Sequence, residues 1–325
     1  MTLAHRAGAT LMRVLWHLAA ALPPARASAL GAAALGRLGP RLRKHRMVTD
    51  NLRTAFPTWT EAEIAAVARA SWAELGRVVA EFPHFETLAA PGDPPAIEVV
   101  DPADVLGRAA RGRAVIMAAG HFANWELLAG AAVRAGVPLA VVHAARADPL
   151  IEALVAEHRR ALGCAFLEQG ESVLAMRRHI RAGRSIGVLL DQRYNDGEPV
   201  PFFGRPAPTA MAPALLAVRF DLPFVPVRPE RLGGCRFRIT VEPPLRPNPG
   251  LGPPRAVAHD LMTRLNDRFA AWIRERPDQW LCIKRRWPKD SLRTTEPAAA
   301  IGAGPDRVRP AMALDRPAPQ QREAG

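Results

Sequence analysis

The chain has 325 residues, enough for one large domain or two ordinary ones, and its 49% hydrophobic content can build a core, which excludes global disorder. Its 32 prolines and 24 glycines follow no period, which excludes a collagen-like chain. A net charge of +13 points to polyanionic partners: nucleic acid, anionic lipid headgroups, phosphorylated substrates or an acidic carrier protein.

Residues 8–22 carry Leu11, Leu15, Leu18 and Leu22 at helical spacing, beside a polar stripe of Thr10, Arg13 and His17. The run is shorter than the ~20 apolar residues of a spanning helix, and Arg13 interrupts it. Arg13 also argues against a signal peptide. A second Ala/Leu-rich stretch, 27–42, is punctuated by Arg37 and Arg41. Two readings stand. The pair forms amphipathic helices at a membrane interface, flanked by the basic cluster Arg41, Arg43, Lys44 and Arg46, or it is a helical hairpin packed on the core.

Residues 60–82 read as a helix, with Thr60, Glu61 and Glu63 at its start and Ile64, Val67, Trp72 and Leu75 on its apolar face. From 96 to 245 short apolar runs alternate with helical patterns. Strands are predicted at 114–119, 139–142, 164–167, 185–190, 223–228 and 235–242, and helices at 124–135, 149–162, 171–182 and 209–219. Residues between 190 and 209 read as a Pro/Gly-rich loop, and a long helix follows at 254–275. This alternation predicts an α/β fold with a central, mostly parallel sheet flanked by helices. The expected organisation is N-terminal amphipathic helices over 1–45, an α/β domain over 46–294 and a disordered tail over 295–325.

The segment Gly120-His121-Phe122-Ala123-Asn124-Trp125-Glu126 falls where a strand ends and a helix begins, the edge at which open α/β sheets bind ligands. On a regular helix His121 and Glu126 would lie ~140° apart. They meet only if His121 sits in the turn before the helix, with Gly120 allowing the bend. A carboxylate-held His is an arrangement for general base catalysis. No Ser or Cys nucleophile is close in sequence, so direct attack by a substrate hydroxyl is the simplest chemistry. Asp191 and Arg193 end a strand on the same sheet edge, where Asp191 either acts on substrate or caps a turn. Asn124 bonds either the helix turn or the substrate. Trp280 and Trp287 read as packing or interfacial residues. The three cysteines, Cys164, Cys235 and Cys282, form neither a disulfide framework nor a zinc pattern. Neither G-x-S-x-G nor a P-loop is present. Nucleic acid is disfavoured, since no zinc-finger or RNA-binding signature appears and aromatics make up 6%.

The box at 120–126 resembles the G-H-x-x-N-W-E form of the H-x4-(D/E) motif of the bacterial lipid A biosynthesis acyltransferases, the late lauroyl/myristoyl transferases. Further matches are Asn51-Leu52-Arg53-Thr54-Ala55-Phe56-Pro57, Leu190-Asp191-Gln192, Pro201-Phe202-Phe203-Gly204, Gln279-Trp280 and Arg285-Arg286-Trp287. The resemblance covers most of 10–290. It implies a glycerolipid-acyltransferase-like fold and late acylation of a lipid A precursor. A fatty acyl chain would pass from acyl carrier protein to a hydroxyl of that membrane glycolipid, with no cofactor or metal. It further implies that His121 is the base, that Glu126 orients it, and that Arg159 or Arg160 handles an anion; a solvated helix face is the other reading of that arginine pair. Asn124, Asp191 and Arg193 complete the candidate substrate-binding set, and Phe202-Phe203 is expected beside an acyl groove. The implied partners are acyl carrier protein, the glycolipid and membrane phospholipid, at the cytoplasmic face of the bacterial inner membrane. Another glycolipid acceptor, such as a phosphatidylinositol mannoside or lipoamino acid, and a catalytically silent lipid-binding protein are the alternatives.

Overall fold

The computed structural model describes residues 3–90, 92, 94–143, 148–160, 162–168 and 172–288. The expected tail at 295–325 lies outside them. Five helices come first: α1 (Leu3–Ala20), α2 (Pro24–Leu38), α3 (His45–Ala55), α4 (Glu61–Glu81) and α5 (Phe85–Ala89). Thr60 caps α4 as the sequence suggests, accepting from the Glu63 amide while the Glu63 carboxylate accepts from the Thr60 amide.

An α/β body follows. Its elements are β1 (Ile97–Val100), α6 (Val105–Ala110), β2 (Ile116–Ala119), α7 (Leu127–Arg134), β3 (Leu139–His143), α8 (Pro149–Arg160), β4 (Ala165–Glu168), α9 (Ser172–Arg181) and β5 (Ser185–Leu189). The chain continues through β6 (Glu198–Phe202), β7 (Arg205–Thr209), α10 (Ala212–Arg219), β8 (Phe224–Gly233), β9 (Arg236–Val241) and α11 (Pro254–Glu275). Seven strands form one sheet in the order β1-β9-β8-β2-β5-β3-β4, parallel except for the β8–β9 hairpin. The expected mostly parallel sheet is therefore present, with helices on both faces. Ile116 and Ala118 of β2 face a core built with α3, α4, α9, α10 and α11, while Met117 and Ala119 face a second core built with α6 and α7.

The region read as a loop before α10 is instead the β6–β7 hairpin. Its prolines pair with each other, Pro199 with Pro208 and Pro201 with Pro206. Proline has no N–H to donate, and a two-stranded ribbon leaves alternate positions free of ladder bonds, so the prolines that suggested a loop are tolerated. Phe203 and Gly204 close the turn with φ of 51° and 70°, as a tight hairpin of this hand requires. Thr209 belongs to β7, so α10 starts later than the pattern implied.

The N-terminal helices pack on this body. Trp16 of α1 stacks on Phe82 at 4.7 Å and donates through Nε1 to the Val79 carbonyl at 2.9 Å. Helix α2 crosses α4 at Gly31 and Gly76, where a Cβ on either glycine would run into the other's carbonyl oxygen. Backbone cannot yield as a side chain can. Gly76→Ala is therefore expected to destabilise the protein by at least ~1–3 kcal/mol, read as a lowered unfolding midpoint. An unchanged midpoint would show that the two helices are not held at this distance.

Candidate active site

Parallel pairing of β2 with β5 matches Ala119 to Leu189. Two residues past each strand end, His121 and Asp191 therefore emerge side by side at the carboxyl edge of the sheet. The His121 Nδ1 lies 2.7 Å from Asp191 Oδ1, and Trp280 Nε1 donates to Asp191 Oδ2 at 3.0 Å. Burial works to raise the pKa of Asp191. The His121 charge and the hydrogen bonds from His121 and Trp280 outweigh it and hold the carboxyl below its ordinary value. An ionised Asp191 can only accept, so Nδ1 carries a proton in either charge state of the ring, and the neutral tautomer this selects has its lone pair on Nε2.

The turn that presents His121 is built by several elements. Gly120 has no room for a side chain, since a Cβ there would strike the Phe122 ring and sit 3.1 Å from Asp191 Cβ. Ala123 adopts φ 43°, which delays the helix to Leu127 instead of the expected 124. The segment after α11 brackets the turn from outside. The Ala123 amide donates to the Gln279 carbonyl at 2.9 Å, and the Leu281 amide donates to the His121 carbonyl at 2.8 Å.

Glu126 does not hold His121. It sits just before α7 with its carboxylate turned to α8, where Arg159 Nε and Nη2 reach its two oxygens at 3.1 and 2.6 Å. This is a buried, bidentate pair, and the guanidinium also lies 5.4 Å from the Phe166 ring centre. The expectation that Glu126 orients the base is thus corrected: the bond to the ring comes from Asp191. Asn124 is turned away from the site and donates to Glu81 Oε2 at 2.8 Å. Of the two arginines offered for an anion, Arg159 lines the cavity described below. The Arg160 side chain lies outside the described residues. Arg193 is exposed and lines the same cavity.

Trp280, read from sequence as a packing or interfacial residue, is the second donor to Asp191. Behind it, Asn51 donates to the carbonyls of Cys282 and Lys284 at 2.9 and 2.8 Å and accepts from the Arg286 amide at 3.0 Å. Phe202 stacks on Trp287 at 5.4 Å and meets Trp280 edge-on at 6.0 Å. The Phe202-Phe203 pair therefore supports Trp280 and Trp287 instead of lining the cavity. A further group absent from the sequence reading is the cluster of buried Glu81 and Arg231 with half-buried Glu74, in which Arg231 bonds both carboxylates. Gln279 joins it by accepting from the Arg231 amide and donating to the Arg231 carbonyl.

His121, Glu126 and Arg159 open onto a cavity of about 870 Å³ with mainly apolar walls, including Met117, Ala119, Leu128, Ala131, Val141 and Leu189. Exposed Lys44, Arg193 and Lys284 also line it. The arrangement offers a carboxylate-oriented base beside room for an apolar chain and cations for an anionic substrate. Among the described residues no group of three or more His, Cys, Asp or Glu is placed to hold a metal ion.

The family model described as bacterial lipid A biosynthesis acyltransferase matches residues 2–289. No curated protein matches the chain. The match spans nearly all of the described structure, so the chain belongs to the bacterial lipid A biosynthesis acyltransferase family and is an acyltransferase.

Proposed function

We propose that this acyltransferase takes a fatty acyl group from the thioester of acyl carrier protein and delivers it to a hydroxyl of a lipid A precursor, late in its acylation. The observation that carries the reading is the His121–Asp191–Trp280 chain opening on an apolar cavity. His121 Nε2 takes the proton from the acceptor hydroxyl as that oxygen attacks the thioester carbonyl. The tetrahedral oxyanion collapses, the C–S bond breaks, and the leaving thiolate takes the proton back from Nε2. Asp191 fixes the tautomer and stabilises the imidazolium between those steps. Glu126 occupies two nitrogens of Arg159, and the remaining Nη is assigned to an anionic oxygen of the substrate. No cofactor beyond the acyl donor enters this scheme.

Direct transfer fits the state of the cysteines. Burial pushes the Cys282 thiol up to about 12 and those of Cys164 and Cys235 to about 11, so none is a ready nucleophile.

The proposed site of action is the cytoplasmic face of the bacterial inner membrane. Leu11, Val14, Leu15 and Leu18 of α1 are exposed beside Arg13, as are Leu30 and Leu38 of α2 beside Arg37. No described helix is long and apolar enough to cross a membrane. An apolar face bordered by arginines suits an interface of anionic phospholipid. The remaining exposed cations suit an acidic carrier and a phosphorylated acceptor.

The test is transfer by the purified full-length protein on vesicles of anionic phospholipid. With acyl carrier protein thioester and lipid A precursor present, the protein should float with the vesicles and acylate the precursor. No acyl adduct should appear on the protein when the precursor is withheld. An adduct formed without precursor, or a precursor left unmodified, would refute the scheme.

A further inference from the structure

The cavity runs from His121 down the face of the sheet that α7 covers. Across its floor the sheet register places Met117 of β2 and Val141 of β3 on either side of Gly187 in β5. All three residues line the cavity, with Ala131 and Ala132 of α7 among the other walls. Met117 precedes His121 by four residues, so this level lies roughly 13 Å from the base along the strand direction.

Nothing in the backbone demands a glycine at 187. It is not among the residues with positive φ. A Cβ built on it would meet Val141 Cγ2 at 3.5 Å and Leu139 Cδ1 at 3.6 Å, which is ordinary contact. Gly120 differs, because there a Cβ would collide with Phe122. A glycine inside a strand weakens it and often marks the close approach of another group. Alanine would fit at 187 and stiffen β5, yet the position is bare where the cavity needs depth.

We propose that Gly187 sets the length of acyl chain this enzyme accepts, its missing side chain leaving open the part of the cavity that receives the far end of the chain. The proposal rests on the acyl-transfer reading above. The occupant is the donor's hydrocarbon chain, because the cavity opens at the base and its floor is apolar. A side chain at 187 occupies the volume of the last methylenes and excludes donors that need it.

The experiment gives wild type, Gly187→Ala and Gly187→Leu an equimolar ladder of saturated acyl carrier protein thioesters differing by two-carbon steps. Lipid A precursor is the acceptor, and mass spectrometry reads the transferred chains. Both variants should shift the products toward shorter chains. The long-to-short ratio of kcat/KM should fall on the order of tenfold for alanine and further for leucine. The unfolding midpoint of Gly187→Ala should hold or rise. If the leucine variant does not fold, the alanine variant decides alone. An unchanged product ratio in folded Gly187→Ala overturns the proposal, as does a uniform loss across all chain lengths with a lowered midpoint. Failure of the wild type to transfer from any donor would instead overturn the reading on which the proposal rests.

Discussion

Replacing His121 with alanine is expected to lower acyl transfer by about 10²–10⁴-fold while the protein still folds. The imidazole is partly exposed to the cavity, so its loss leaves space that water can enter and removes no core packing. Its removal leaves Asp191 fully buried with Trp280 as its remaining side-chain donor. That costs roughly 1–3 kcal/mol of stability, far less than a folded domain has to lose in most cases. The pH dependence follows from the lowered pKa of Asp191. Its ionised form stabilises the fold above the ordinary carboxyl value, and that contribution is lost as pH falls through the lower folded value. Without His121, Trp280 alone opposes the effect of burial and the Asp191 pKa rises, so the variant should lose less stability on acidification than wild type does. Turnover near the wild-type rate in the purified variant would exclude His121 as the base.

Replacing Arg231 with methionine is expected to destabilise the protein by about 3–5 kcal/mol, the largest single effect on folding foreseen outside the core. Arg231 Nε bonds Glu74 at 2.6 Å, and Nη1 and Nη2 bond Glu81 at 2.6 and 3.0 Å. Glu81 is fully buried. Burial raises the Glu74 pKa against the pull of Arg231. Methionine keeps much of the packing volume but leaves two neighbouring carboxylates without a counter-charge. Glu74, whose pKa burial already raises, should then bind its proton in the fold still more tightly than in the unfolded chain. The variant should accordingly regain stability as pH falls toward the ordinary carboxylate range and lose it as pH rises. Urea titrations at several pH values would show this. The triple variant with Glu74→Gln and Glu81→Gln should recover part of the loss. The damage should also reach the active site, since Glu81 holds Asn124 and the Arg231 backbone holds Gln279. Wild-type stability of Arg231→Met at neutral pH would show that the cluster contributes little.

Much of the fold was legible because the parallel strands are short apolar runs with amphipathic helices between them. The β6–β7 hairpin was not, because its register of prolines looks like a loop until the two strands are paired. At the site, the Gly-His turn located the imidazole that meets a carboxylate, but nearness in sequence suggested Glu126 where the structure has Asp191. The partner of His121 is 70 residues away and arrives through the β2–β5 register. Asp191 was recognised as lying on the right edge, yet its bond to the ring depends on how many residues each strand projects beyond the sheet. Trp280 had no chemical signal of its own, since an indole that donates to a carboxylate and one that only packs look alike in a sequence.

The most direct test of the dyad is the Nδ1–H proton of His121, followed by NMR in the intact protein with labelled histidine. If Asp191 orients the base, Asp191→Asn should shift that proton strongly upfield or broaden it through exchange. Glu126→Gln, which loosens Arg159 instead, should leave it nearly in place. A signal that survives in Asp191→Asn and disappears in Glu126→Gln would contradict the assignment and return the orienting role to the carboxylate five residues along the chain.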